Sequence, residues 1–190
     1  MAYPSKTDRS TILEAALSIV EREGLEALTL RHLGGNIGVT ANALYRYFRA
    51  RDVLVAAAAD AVAHRLFLLV EKAMAELPSS LDREGHVRKL LSVYADFAET
   101  NPALYRLLFS DSREAEAELP EPRYRGSLWN QSLAVIRLIV RASDAEAATI
   151  SLWALMHGIW ALRQAGVLSR KGPSEIEDYA FDTFIGGLRL

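Results

Sequence analysis

The sequence predicts an all-α protein of about nine helices, and three observations carry that expectation. Apolar residues make up 51% of the 190 positions. They recur at three- and four-residue spacing instead of alternating, which is the pattern of helices with one buried face. Alanine and leucine dominate while β-branched runs are absent, a composition that favours helix over strand. Helix start and stop signals, such as Thr29, Thr40 and Asn101-Pro102 before periodic runs and Gly24, Gly38 and Gly166 after them, fall between the segments.

Taken in order, a first helix capped by Thr7 or Asp8 runs to about Glu23, with Ile12, Leu13, Ala16, Leu17, Ile19 and Val20 as its stripe. Gly24 ends it. Thr29 caps a second helix of about two turns, facing inward with Leu30, Leu33 and Ile37. Gly34 and Gly35 lie inside it at a cost of roughly 1 kcal/mol each relative to alanine, so either close packing or flexibility is required there. Gly38 makes the turn, Val39 plugs it, and Thr40 caps a third helix to about Tyr47 whose inner face is Ala43, Leu44 and Phe48. A long fourth helix runs from about Arg51 to Leu77, before Pro78. The fifth spans about Glu84 to Thr100, and Pro102 opens a short, greasy sixth through Phe109. The stretch SDSREAEAELPEPRYRG reads as a mobile loop. A seventh helix spans about Tyr124 to Arg141, an eighth capped by Asp144 reaches about Ala165, and a Ser174–Glu177 capping box opens a ninth to about Leu188.

Without cysteine the fold relies on packing, which suits a reducing compartment. The first ten residues lack the apolar core of a signal peptide, and nowhere do about 18 apolar residues run uninterrupted. A soluble, cytoplasmic protein without a membrane partner is therefore expected.

The charge is unevenly placed. Seven Lys/Arg face five acids through Arg51, leaving 15 basic and 19 acidic side chains beyond it in a chain of net charge -2. Between Arg31 and Arg51 there are four arginines and no acid. The third helix leaves Ala41, Asn42, Tyr45, Arg46 and Tyr47 outside its apolar face. Tyr and Arg can donate to phosphate oxygens, and Asn can pair with an adenine edge. The helix–turn–helix outline with this basic, aromatic edge points to a DNA major groove.

These residues resemble the tetracycline-repressor family of bacterial transcriptional regulators. The likeness covers Thr11 to Leu54, with the turn Gly38-Val39-Thr40 followed by Leu44-Tyr45-Arg46-Tyr47-Phe48 as its most specific part. A second likeness lies in WALMHGIWALRQAGVL, similar to the family's penultimate helix. The resemblance implies that Thr29, Arg31, Tyr45, Tyr47 and Arg51 bind phosphates, while Thr40, Ala41, Asn42 and Arg46 face the groove. It implies a DNA-binding domain over residues 1–52 and a ligand-binding and dimerisation domain over 53–190. The eighth and ninth helices would pair across a two-fold axis through Ile150, Leu152, Leu155, Ile159, Phe181, Phe184 and Ile185. Some of Phe67, Tyr94, Phe97, Tyr105, Phe109, Trp129, Trp153 and His157 would line a cavity for a small apolar effector, the others being plain core. The sequence departs from the family pattern at Gly35, Asn36 and Ala50.

Four scattered histidines and no cysteine offer no metal site. No phosphate loop, nucleophile elbow or paired carboxylates with a base appear, so neither cofactor nor enzyme activity is expected. The expectation is a ligand-responsive, homodimeric, sequence-specific DNA-binding repressor. The alternative is a helical small-molecule-binding protein or enzyme whose basic head has no DNA role.

Overall fold

A computed structural model describes residues 8–110, 113–168 and 175–188. Every regular element among them is helical. Ten α-helices follow in order: α1 (Arg9–Glu23), α2 (Leu30–Ile37), α3 (Ala41–Tyr45), α4 (Arg51–Ala75), α5 (Arg83–Thr100), α6 (Pro102–Leu108), α7 (Arg113–Glu116), α8 (Tyr124–Ile136), α9 (Ala145–Gln164) and α10 (Glu175–Leu188). A 3₁₀ turn, Leu25–Ala27, joins α1 to α2.

Local chemistry starts and stops the first three helices. Asp8 caps α1 by accepting from the Thr11 amide at 2.7 Å, and this holds its carboxyl below the ordinary range. Thr29 caps α2 through the His32 amide at 3.1 Å, and Thr40 caps α3 through the Ala43 amide at 3.3 Å. Gly38 ends α2 in the left-handed region, φ 72°, where glycine carries no Cβ penalty.

Three outlines differ from the sequence reading. α7 lies inside the stretch expected to be a mobile loop; Ala115 and Leu119 are buried there, a short apolar anchor hidden among prolines and acids. α8 stops at Ile136, because residues 137–139 turn instead of continuing the helix. Asp144 stands at the start of α9 without capping it through its side chain, which accepts from the Ser143 hydroxyl at 3.0 Å. Ser174 of the expected capping box lies outside the described residues.

Packing gathers the chain into two compact units. The first holds the described residues up to Phe67 together with 101–127; the second holds 68–100 and the described residues from Leu128 onward. The expected boundary after residue 52 does not coincide with this division. In the first unit α1 packs on α2 and α6, and Arg49 pairs with Glu118, so the three N-terminal helices share a core with later segments.

In the second unit α9 packs on α5 and α10. Arg163, only 4% exposed, bonds Glu99 at 3.2 Å and Glu177 at 2.9 Å, and the Trp160 indole donates to the Ala98 carbonyl at 3.2 Å. α4 carries an apolar 18-residue window of mean hydropathy 1.9, long enough on composition to cross a membrane. That window is 61% buried inside the protein, as a core helix would be.

Candidate nucleic-acid interface and interior cavity

Leu33 and Leu44 bury the inner faces of α2 and α3 against the core of the first unit, with Phe48 fully enclosed just beyond. The angle between the two helices depends on Gly34. A Cβ there would meet the Val39 carbonyl oxygen at 2.8 Å and the Ala41 amide at 3.3 Å, both backbone atoms that cannot yield cheaply. Gly34 is thus a packing glycine that lets the turn close on α2. Gly35 is different: nothing lies within 4 Å of a Cβ built on it, and packing gives no reason for it.

With the inner faces committed, α3 presents the rest outward. Asn42, Arg46 and Thr40 are exposed, Ala41 is half-buried, and Tyr45 and Tyr47 are 52% and 41% exposed. Two large aromatic side chains left in water beside an arginine are uneconomic for a core and well suited to a partner surface. Arg31 is exposed on α2, where Thr29, Arg31, His32, Gly35 and Asn36 line a shallow depression. Sequence reasoning missed His32 and Asn36 as its neighbours; their exposed polar positions on a short amphipathic helix were the available signal. His32 also meets the Glu23 carboxylate at 2.9 Å.

The four arginines of the run do not have one use. Among the described residues, the guanidinium groups of Arg31 and Arg46 make no ion pair. Arg49 is paired with Glu118, which raises its pKa above the ordinary arginine value through that hydrogen bond and charge. Arg51 turns back into the protein. Its Nε donates to the Leu28 carbonyl at 2.9 Å and its Nη2 to the Leu25 carbonyl at 3.1 Å, with Glu26 at 3.5 Å. Expected as a phosphate contact, Arg51 in this structure clamps the 3₁₀ turn that leads into α2: it gives the Leu28 carbonyl a donor and adds a second to the Leu25 carbonyl, which already accepts from the Leu28 amide.

The second unit holds a nearly closed cavity of about 10 Å³ between α5, α8 and α9. Leu90, Leu91, Tyr94, Ser132, Ile136, Thr149, Leu152, Trp153 and Met156 line it. Two residues expected at an effector cavity, Tyr94 and Trp153, are there. Trp129 stands edge-on to Trp153 at 5.4 Å, His157 packs against Trp160, and Phe97 is buried core. Phe67, Tyr105 and Phe109 belong to the first unit and line no part of this cavity: Phe67 leans on Tyr124 at 5.9 Å and Tyr105 on Phe109 at 5.0 Å. Burial pushes the Tyr105 phenol up to about 12.

The residues expected at a dimer face also separate. Leu152, Phe181 and Ile185 are 1%, 4% and 6% exposed within the chain, so they fill its own core, and Leu152 lines the cavity. Ile150 is exposed, and Leu155, Ile159 and Phe184 are half-buried. Sequence reasoning missed Ser132 and Thr149, whose small polar side chains carry no periodic signal. No group of three or more His, Asp or Glu side chains able to hold a metal gathers among the described residues.

Residues 12–58 match the family described as bacterial regulatory proteins, tetR family, and residues 87–187 match the tetracyclin repressor-like C-terminal domain. Among curated proteins, the chain is 23% identical to an uncharacterised HTH-type transcriptional regulator of Mycobacterium tuberculosis, over 88% of this chain and 75% of that one. It is 28% identical to the nucleoid occlusion factor SlmA of Idiomarina loihiensis, over 74% and 70%. A Rhodococcus sp. RHA1 protein of unknown function superposes over the whole of both chains with TM-score 0.78 at 24% identity. BioQ bound to its double-stranded DNA operator gives 0.66 at 18% identity, covering 95% of this chain and 97% of that one. A TetR variant from Acinetobacter baumannii AYE with minocycline gives 0.64 at 18%, covering 97% of each.

Proposed function

Because the chain belongs to the tetracycline-repressor family of bacterial regulatory proteins, we propose that it is a ligand-responsive, sequence-specific DNA-binding repressor that acts as a homodimer in the cytoplasm. The observation that carries this reading is the outward set on α3 and the turn that follows it, where Asn42, Tyr45, Arg46 and Tyr47 stand exposed, with Arg31 exposed on α2. In this reading Thr40, Ala41, Asn42 and Arg46 meet base edges. Thr29, Arg31, Tyr45 and Tyr47 meet the sugar-phosphate strands. Phosphate contacts give affinity without sequence information, and base contacts give the choice of site. Arg51 acts as a positioning residue, holding the approach to α2.

Two heads define a site only at a fixed separation, about 34 Å or a multiple for helix–turn–helix dimers. The exposed face of α9 carries Ile150, Ala154, Gly158 and Leu162, and α10 exposes Ile176 and Tyr179. A second copy of the chain covers these surfaces in our reading. BioQ bound to its operator and a TetR variant bound to minocycline share this fold, which supports assigning the interior cavity to an effector. Wedging that cavity open moves α9, which forms one of its walls and also bears the partner face. By linkage the effector must bind the DNA-free state more tightly.

A gel-shift with DNA flanking the protein's own gene tests the reading. Binding that prefers one fragment and weakens steeply with salt is expected, because neutralised phosphates release counterions. Equal binding to every fragment at low salt would refute it.

A further inference from the structure

We propose that Gly35 is a close-approach site for DNA: its missing side chain lets one sugar-phosphate strand settle against α2, where Arg31 and Asn36 hold it. This rests on the DNA-binding reading above and adds a contact to it.

The fold itself does not need this glycine. Glycine is the poorest helix former after proline, because ordering its backbone loses the most entropy. α2 is only eight residues long and carries two glycines. Gly34 is required there, since a Cβ would strike the Val39 carbonyl. Gly35 is idle in the protein's own packing. It is exposed, nothing lies within 4 Å of a Cβ built on it, and its φ is outside the left-handed region. An alanine would fit and strengthen the helix. A residue that weakens its own helix without a packing reason points to something outside the chain.

The surroundings of Gly35 suit such a guest. Leu30, Leu33 and Gly34 are buried on the core side of α2, which leaves Thr29, Arg31, His32, Gly35 and Asn36 around its outer side. These five line the shallow depression, and Gly35 is the part of it that lacks a side chain. Gly35 and Asn36 are also positions where the sequence departs from the family pattern, so the depression belongs to this chain.

The lining is basic and supplies donors. Among the described residues, Arg31 makes no ion pair and the Asn36 side-chain amide has no hydrogen-bond partner. Thr29 accepts from the His32 amide at 3.1 Å and still has its hydroxyl proton to give. His32 serves as a wall, its Nε2 facing the Glu23 carboxylate at 2.9 Å. A phosphodiester accepts from all three donors and answers the arginine charge. An apolar guest would cover the same groups without pairing them. The depression is too open to enclose a small anion, whereas α2 packs on α3, so a strand held along α3 continues across it.

A methyl group on Gly35 would stand about 1.5 Å out from the helix backbone. Hydrogen bonds fade within a few tenths of an ångström beyond about 3.2 Å, so a strand displaced that far loses Arg31 and Asn36.

Gly35→Ala, Gly35→Leu and Asn36→Ala test this in the full chain by urea unfolding and by fluorescence anisotropy. The probes are the duplex flanking the protein's own gene and a random duplex of about 30 base pairs at low salt. Gly35→Ala should resist urea better than the parent yet bind both probes about tenfold more weakly. Its preference between them should be unchanged and its salt slope smaller by about one. Gly35→Leu should bind more weakly still, and Asn36→Ala about tenfold more weakly than the parent. An alanine variant that binds as tightly as the parent overturns the proposal, and so does one less stable than the parent, which would make Gly35 structural. Unchanged binding by Asn36→Ala removes that residue from the contact. Inorganic phosphate that displaces DNA better than chloride at equal ionic strength, from the parent but not from Gly35→Ala, would assign the depression to a free anion instead. A parent that binds neither probe sinks the DNA reading and this contact together; a binding parent with an unaffected alanine variant sinks the contact alone.

Discussion

Arg51 is the residue whose chemistry differs most from its first appearance. Its side chain spans from the start of α4 to the carbonyls of Leu25 and Leu28, so it ties the long helix to the turn that sets the direction of α2. Arg51→Ala leaves the part-buried Leu28 carbonyl unmatched, while that of Leu25 keeps the Leu28 amide, and should cost about 1–3 kcal/mol in urea unfolding. Arg51→Lys keeps the charge but cannot reach both oxygens with a fixed fork, and should recover only part of that loss. Full recovery by lysine would mean that charge, not geometry, is what the position requires.

At this scale legibility follows distance along the chain. Thr29, Thr40 and Gly38 act on amides and turns within a few residues, and their roles were readable directly from the sequence. Gly34 acts on Val39 and Ala41 across a turn, so its packing role and the idleness of Gly35 emerged only in three dimensions. Arg51 acts over more than twenty residues, and no local pattern encodes that.

At the scale of elements, α9 shows why the sequence does not separate its inward face from its outward one. The helix is apolar nearly all round, so periodicity cannot say which apolar residue looks inward. Leu152 looks into the cavity, while Ile150, two residues earlier, is 54% exposed. α7 escaped notice for the opposite reason, being too short and too charged to show a period.

The start of α8 is set by Asp60 of α4, which accepts from the amides of Tyr124 at 2.6 Å and Arg125 at 3.1 Å. His64, one turn along α4, stacks on the Tyr124 ring at 3.8 Å. Burial raises the Asp60 pKa, opposed by those two amides and by the charges of Arg125 and His64, and Arg9 also faces this carboxylate. A raised carboxyl pKa means that the folded state binds the proton more tightly than the unfolded chain does. The stability linked to it is present below the unfolded carboxylate range and is lost as pH rises through the folded value. Asp60→Asn keeps an oxygen acceptor without the charge, so relative to the parent it should gain stability between pH 4 and pH 7 in urea titrations. Asp60→Ala loses the cap and should cost about 1 kcal/mol at pH 4, a cost that shrinks toward pH 7 by as much as the asparagine variant gains. A relative loss by the asparagine variant on going to pH 7 would contradict this account.

For the whole molecule, the helical class and the family were legible because they rest on many positions at once: the caps, the turn and the α3 signature at one end, and the apolar α9 at the other. The division into units was not, since α6 and α7 join the N-terminal helices through tertiary contacts such as Arg49 with Glu118. The cavity was half legible, because aromatic residues advertise themselves while Ser132 and Thr149 do not.

The central claim is that α3 reads DNA sequence through Asn42 and Arg46 while the tyrosines beside them hold the strands. Selection of bound sites from a random duplex pool, run on the parent, on Asn42→Ala and on Tyr47→Phe, tests it most directly. The parent should return a two-fold site with two equivalent half-sites. Tyr47→Phe should return the same site with weaker binding to every sequence, and Asn42→Ala should lose its preference at about one position in each half-site. A parent pool without any enriched symmetric site, or an unchanged site from Asn42→Ala, would contradict the account.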